Sequence, residues 1–267
     1  MQLRDWAFLG NWEFFTNRLR QLAREELEPE KWSFAGKDDF GILKNYLFFT
    51  FDKLMADRES APDSEKQSIV YVGDTVACFN TGLFDKNWQT VYFYCEKNPI
   101  SDRQPWRFVS FHNNYTIKNC PIDYDACANL QRANYFEDPS ALLFDSSLEI
   151  VPQWQHIIHD EKNYQRIPQS LRDNGATFCQ SVMEGQISSV RKRIAANYKT
   201  IVPQYYRGRI QLLMPLYLTN PESPDLALVL SLSDDKKVYY GHTCLTIEMA
   251  YNNARLIARP DSYWLKA

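Results

Sequence analysis

The residues with the widest scope for chemistry lie between Ser188 and Leu218. A helical run carries Arg191, Lys192 and Arg193. It is followed by Asn197, Tyr198 and Lys199, and a break is expected at Pro203. Gln204, Tyr205 and Tyr206 then lead to a turn at Gly208, with Arg209 at the entrance of the strongest apolar run in the chain. Guanidinium and ammonium groups supply charge-assisted hydrogen bonds, so cations clustered at a helix-to-strand junction are suited to holding an anion. The flanking tyrosines could stack on a base.

A second candidate is the closing helix read over Leu245 to Ala258. Ile247, Ala250, Tyr251, Ala254 and Ile257 form its apolar side, while Glu248, Asn252, Arg255 and Arg259 fall on a polar line. Asn is a mediocre helix former, so Asn252-Asn253 implies amides wanted for hydrogen bonds. A third is Asn80-Thr81-Gly82, where a turn could direct backbone N–H groups at an anion. Lys97, at the end of the next strand, could reach the same end of the sheet. His156 and His159, beside Asp160 and Glu161, have helical spacing for a metal but no third ligand, and a structural or surface role is favoured. Asp138 and Asp145 could hold Mg2+, although capping and turn roles fit them better. No metal or other cofactor is therefore expected, Mg2+ being the one possibility. The common nucleotide-loop, serine-hydrolase, dinucleotide and zinc-protease motifs are absent.

The elements that must position these residues follow from periodicity. Helices are predicted over Trp12 to Leu27, capped by Asn11, over Phe40 to Met55, and over Ala176 to Tyr198. Asp57 to Gln67 reads as a loop. Strands are predicted at 68–72 and 75–80, joined at Gly73-Asp74, and at 89–95, 106–112, 201–206, 209–218, 226–232 and 237–240. The implied class is α+β, with a largely antiparallel or mixed sheet, helices at both ends and one long central helix. The whole of 1–267 is read as one globular domain. Its parts are helical (1–66), β-rich (67–112), irregular (113–170) and helix-strand-helix (171–267).

The 267 residues are 45% hydrophobic and 24% charged, ordinary for a globular chain with a sizeable core. No run approaches the roughly 20 apolar residues that span a bilayer, so no membrane partner is expected. From Ala176 onward there are 11 Lys+Arg against 7 Asp+Glu, a net +4, whereas the first 175 residues carry a net −7. A local basic segment on an acidic chain is consistent with a discrete anion site. The six cysteines form no C-x-x-C pair, and the first residues lack an apolar export run. Reduced thiols and a cytoplasmic location are expected.

Four stretches, FNTGLFDKNWQTVYFYCEKN, ANYFEDPSALLFD, NYKTIVPQYYRGRIQLLMPLYL and LTIEMAYNNARLIARPDSYWL, together resemble a bacterial family known as domain of unknown function thirty-eight twenty-five. The likeness runs from about Asn80 to Leu265, and ILKNYL extends it toward the N-terminus. Members of that family are similar in size and recur beside RNA-binding modules, including LOTUS-type and small barrel domains. The resemblance thus implies a role with RNA or a nucleotide, and it brings no catalytic set.

The resulting expectation is a protein that binds a phosphate-bearing nucleotide or RNA in a pocket and hydrolyses a phosphoester or phosphoanhydride bond. Arg193, Lys199 and Arg255 would neutralise phosphate, and Asn80, Thr81 and Gly82 would border the pocket. Tyr205 or Tyr251 would stack on a base, with Lys97, Arg209, Asn252 and Asn253 completing the ligand contacts. Glu248 would be the general base beside Arg255. The alternative is a non-catalytic RNA-binding or nucleotide-sensing module, which needs the cations but no positioned base. A purely structural interaction domain is a third reading.

Overall fold

The computed structural model describes residues 1–260 together with 264 and 265. The residues gather into two compact units, Met1–Asn134 and Tyr135–Ala267. The sequence reading treats the chain as one domain with an irregular middle, and the boundary between the units falls inside that middle. Each unit is built on its own five-stranded mixed sheet flanked by helices, an α+β architecture.

In the first unit the strands are β1 (Ala7–Phe8), β2 (Val70–Val72), β3 (Val76–Phe84), β4 (Thr90–Lys97) and β5 (Trp106–Asn113), in the order β1-β5-β4-β3-β2. Only β1 and β5 run parallel. Helix α1 (Trp12–Gln21) begins where Asn11 accepts a hydrogen bond from the Phe14 N–H, at 2.7 Å, which supplies one of the orphan donors of the first turn. The predicted helix to Leu27 holds, but its last turn, Leu22–Glu26, is a π-helix. Helix α2 (Gly41–Ser60) continues past Met55 into residues read as loop. Phe79, Phe93 and Phe111 lie opposite one another on three neighbouring strands. Phe79 and Phe93 stack at 4.8 Å, and Phe108 approaches Phe93 at 4.3 Å, so this face is an aromatic layer.

In the second unit the strands are β6 (Glu149–Pro152), β7 (Val202–Tyr206), β8 (Arg209–Leu216), β9 (Leu226–Leu232) and β10 (Val238–Thr246), in the order β6-β10-β9-β8-β7. The helices that matter are α3 (Trp154–Ile158), α4 (Glu161–Tyr164), α5 (Ala176–Ala196) and α6 (Ile247–Ala254). One side of the sheet presents Leu212, Met214, Leu228, Leu230 and Cys244 to the buried side of α5, through Met183, Val190 and Ile194. Element boundaries differ from expectation. The long helix ends at Ala196 rather than at Tyr198, because Asn197 turns the chain and its side chain accepts from the Lys199 N–H. Pro203 sits inside β7, which among the described strands is an edge strand paired with β8, where a missing N–H is tolerated. Leu245 and Thr246 belong to β10, and Thr246 caps α6 by accepting from the Met249 N–H.

The other side of this sheet carries an unusual row. Gln204 on β7 pairs in register with Gln211 on β8, and Gln211 reaches Ser231 on β9. Gln204 is 1% exposed, so these amides are satisfied by one another rather than by bulk water.

Two substitutions test these two kinds of interior. Phe93→Ala removes the centre of the aromatic layer and is expected to cost about 3–5 kcal/mol, with hydrogen exchange localising the loss to residues 1–134. Gln204→Leu leaves the Asn253 amide and the Gln211 carbonyl facing an apolar side chain, at about 1–3 kcal/mol for each orphaned group. Urea midpoints measure both. An unchanged midpoint for Gln204→Leu would mean that water takes over the amide's bonds.

Candidate functional site in the second unit

The widest cleft described within the second unit, about 750 Å3, opens on the glutamine side of the sheet. Its floor is the polar row. The side-chain amide of Asn252 donates to Asn253 Oδ1 at 3.2 Å, Asn253 Nδ2 donates to Gln204 Oε1 at 3.1 Å, and Gln204 Nε2 donates to Gln211 Oε1 at 2.9 Å. Gln211 Nε2 then donates to Ser231 Oγ at 2.8 Å. Every amide in the chain points the same way, so the bonds polarise one another along the row. Helix α6 supplies the first two members, and the β7–β8 hairpin the next two.

One wall comes from α3, α4 and the turn after them. Arg166 is half-buried, and its Nη1 donates to the Cys244 carbonyl at 2.7 Å and to Thr243 Oγ1 at 3.3 Å. These two bonds fix the guanidinium plane and leave the donors on Nε and Nη2 for other use. Thr243 Oγ1 donates to Asn163 Oδ1 at 2.9 Å, and Asn163 Nδ2 lies 3.1 Å from His156 Nε2, which therefore accepts and carries its proton on Nδ1. Lys162 is exposed at the rim, while Asp160 is committed as the cap of α4, accepting from the Asn163 N–H at 3.0 Å.

The opposite rim is the tip of the β7–β8 hairpin. Arg207 and Gly208 both have positive φ, 49° and 82°. This is the twist a two-residue hairpin turn requires, and it is costly for a residue with a side chain. Arg207 lies against the Tyr206 ring at 5.2 Å. Arg209 is 75% exposed and meets Asp234 at 3.5 Å, a screened surface pair. The cleft thus gathers Lys162, Arg166, Arg207 and Arg209 around one carboxylate, Asp160.

His242 completes the lining. It sits where the β9–β10 register shifts between Gly241 and Thr243, a bulge that re-aims a side chain out of the regular ladder. Its Nδ1 lies 3.2 Å from Gln153 Oε1, an acceptor, so the proton is on Nδ1 and the Nε2 lone pair is left available. Burial, and then the neighbouring His156 imidazole, lower the pKa of His242 below its ordinary value. Burial pushes the neighbouring Cys244 thiol up to about 12, which keeps it protonated and unreactive.

Of the residues singled out from sequence, Arg209 and Asn253 line this cleft, and Asn252 feeds its floor. Tyr205 faces away from Gln204 and meets the Tyr135 ring edge-on at 4.7 Å. Arg193 packs over Tyr217 at 4.4 Å. Lys199 lines a separate cavity of about 300 Å3, with Tyr198, Pro203 and Arg259. Glu248 and Arg255 sit at opposite ends of α6, both half-buried, and Tyr251 is buried between them. Asn80, Thr81, Gly82 and Lys97 belong to the first unit. There Asn80 and Thr81 are buried within β3 rather than in a turn. Asn80 donates to the Leu130 carbonyl and accepts from the Gly82 N–H, and Thr81 donates to the Val91 carbonyl. Gly82 has a φ of 75°, and a Cβ there would lie 2.8 Å from Tyr46 Oη, a packing reason for glycine. Lys97 is exposed at the end of β4. Asp138 and Asp145 each accept from a serine N–H two residues on, the capping and turn geometry.

Sequence reasoning missed Arg166, Asn163, Arg207, Gln204, Gln211 and His242 as site residues. One signal was present: Gln204 and Gln211 stand at mirror positions about an Arg-Gly turn, in strands otherwise apolar on their buried side.

All six cysteines are free thiols, and no helix among the described residues is long and apolar enough to cross a membrane. No curated protein and no solved structure matches the chain. The family model described as Domain of unknown function (DUF3825) matches residues 22–264, so it spans both units and every residue of the cleft, and the chain belongs to that family.

Proposed function

We propose that the cleft of the second unit binds the phosphate of a nucleotide or of RNA and cleaves a phosphoester or phosphoanhydride bond in it by hydrolysis. The observation that carries this reading is the Arg166 guanidinium, held in plane by Cys244 and Thr243 and facing a cleft whose other charged walls are Lys162, Arg207 and Arg209. A preorganised guanidinium matches two phosphate oxygens and needs no reorganisation to do so. The one carboxylate of the lining is engaged at a helix start, which limits its repulsion of an anion. Tyr206, exposed at the rim beside Arg207, offers a face for a base. The family resemblance read from the sequence implies the same ligand class. A cytoplasmic location fits six free thiols.

Losing one charge-assisted contact to a bound phosphate costs about 1.5–3 kcal/mol, or roughly ten- to a hundredfold in affinity. Lys162→Ala and Arg209→Ala, both at exposed rim positions, are therefore expected to weaken binding of a single-stranded RNA oligonucleotide by about that factor. Their melting temperatures should stay near that of wild type. Fluorescence anisotropy at several salt concentrations, with competing nucleoside mono- and triphosphates, measures both the loss and the ligand preference. Each lost contact should flatten the slope of log affinity against log salt by about 0.7. Wild-type protein that binds no member of the panel, or variants that bind as tightly as wild type, would refute the phosphate-site reading. Binding without turnover would leave an RNA-binding or nucleotide-sensing module.

A further inference from the structure

We infer that His242 is the general base of this cleft and that its nucleophile is a ribose 2′-hydroxyl, which makes RNA the substrate. The inference rests on the phosphate-binding reading above and adds to it a reacting group and a substrate class.

Three independent features point to His242. The bulge in β10 takes the residue out of the ladder with β9, and His242 lines the cleft on the side of the amide row. The bond from Nδ1 to Gln153 Oε1 fixes the ring and its tautomer, so the basic Nε2 is the nitrogen left to act. The imidazole also stands in a cationic cleft. Seven charged or titratable groups share that lining with His242: His156 from α3, Asp160 at the cap of α4 and Lys162 within it, Arg166 just after it, and Tyr206, Arg207 and Arg209 from the hairpin. Burial, and then the neighbouring His156 imidazole, lower the His242 pKa from 6.5, so the ring is in its basic form at neutral pH.

The cations fall in two pairs, Lys162 with Arg166 on one wall and Arg207 with Arg209 on the other. Two pairs on opposite walls suit a chain with consecutive phosphates better than a single mononucleotide phosphate. In such a chain the hydroxyl adjacent to a phosphodiester is the ribose 2′-hydroxyl. The step is then as follows. Nε2 of His242 takes the 2′-hydroxyl proton, the O2′–P bond forms, and the P–O5′ bond breaks. The departing 5′-oxygen takes a proton from solvent at the open mouth of the cleft, and His242 later returns its proton to solvent. The cations stabilise the charge that develops on the phosphoryl oxygens. Water opens the 2′,3′-cyclic phosphate afterwards, which completes a hydrolysis. The step uses no redox partner and no metal.

The test uses the full chain and a fluorescently labelled single-stranded RNA, the same sequence as DNA, and the same RNA carrying 2′-O-methyl groups, each with and without EDTA. The expected result is cleavage of RNA alone, in either condition, to fragments ending in 2′,3′-cyclic or 3′-phosphate and 5′-hydroxyl. His242→Gln should slow cleavage by about 10²- to 10⁴-fold while binding 2′-O-methyl RNA within about threefold of wild type. The wild-type rate should also fall about tenfold per pH unit once pH drops below the lowered His242 pKa, a limb lying below 6.5. That profile keeps the inference testable if His242→Gln does not fold. RNA that is bound but not cleaved, cleavage of DNA at a similar rate, loss of cleavage in EDTA, or a His242→Gln protein as fast as wild type would each overturn the inference and leave phosphate binding standing. Failure to bind any of the three oligonucleotides would overturn the inference, and failure to bind nucleoside mono- and triphosphates as well would remove the phosphate-site reading with it.

Discussion

The second unit is organised by a desolvation constraint. A buried glutamine on the sheet, Gln204, and a half-buried one beside it, Gln211, are stable only if their amide N–H and carbonyl groups find partners, because each orphaned group costs about 1–3 kcal/mol. The row from Asn252 through Asn253, Gln204 and Gln211 to Ser231 meets the constraint by linking an α-helix to three strands. It fixes where α6 lies over the β7–β8 hairpin, and it lays a polar row across one side of the sheet while the other stays an apolar seat for α5. The cleft exists because that polar side is not closed by another apolar layer.

The opposite wall obeys the same rule. Asn163 is almost wholly buried, and its amide joins Thr243 on β10 to His156 on α3. Thr243 is also an anchor of Arg166, so the orientation of the cleft's half-buried guanidinium depends on a hydroxyl held by an amide. The bulge at Gly241–Thr243 belongs to this arrangement. It lets His242 and Thr243 both serve the cleft, although neighbouring residues of a regular strand point to opposite sides.

The first unit is built on different physics. Its sheet is held on one side by aromatic rings in register, and its polar residues, Asn80 and Thr81 among them, satisfy backbone groups inside the unit. Residues of the type that bind anions therefore serve there as fold-forming residues. Asn80-Thr81-Gly82 looks like a turn because Asn and Gly favour turns. The segment is a strand because its amide and hydroxyl find the Leu130 and Val91 carbonyls, and because glycine makes room for Tyr46.

The sequence by itself determined the local elements. Alternation and helical spacing predict the strands on either side of Gly73-Asp74, the Gln204–Gln211 hairpin and the long helix from Ala176, since each depends on residues a few positions apart. The Asn11 cap was legible for the same reason. Periodicity also predicts the α+β class, and it placed Arg209, Asn252 and Asn253 among the site residues. Only the tertiary structure decided which cations share a cleft. Arg166 comes from the segment read as irregular and His242 from the residues left between a predicted strand and the closing helix, and their place is set by a carbonyl on β10, a bulge in the same strand and a glutamine before α3. Arg193 and Lys199 have the same chemistry and a clearer sequence context, yet one packs on Tyr217 and the other lines a different cavity. Residue type specifies what a side chain can bind, but its surroundings are fixed by strand register and helix docking, which join residues 77 to 94 positions apart.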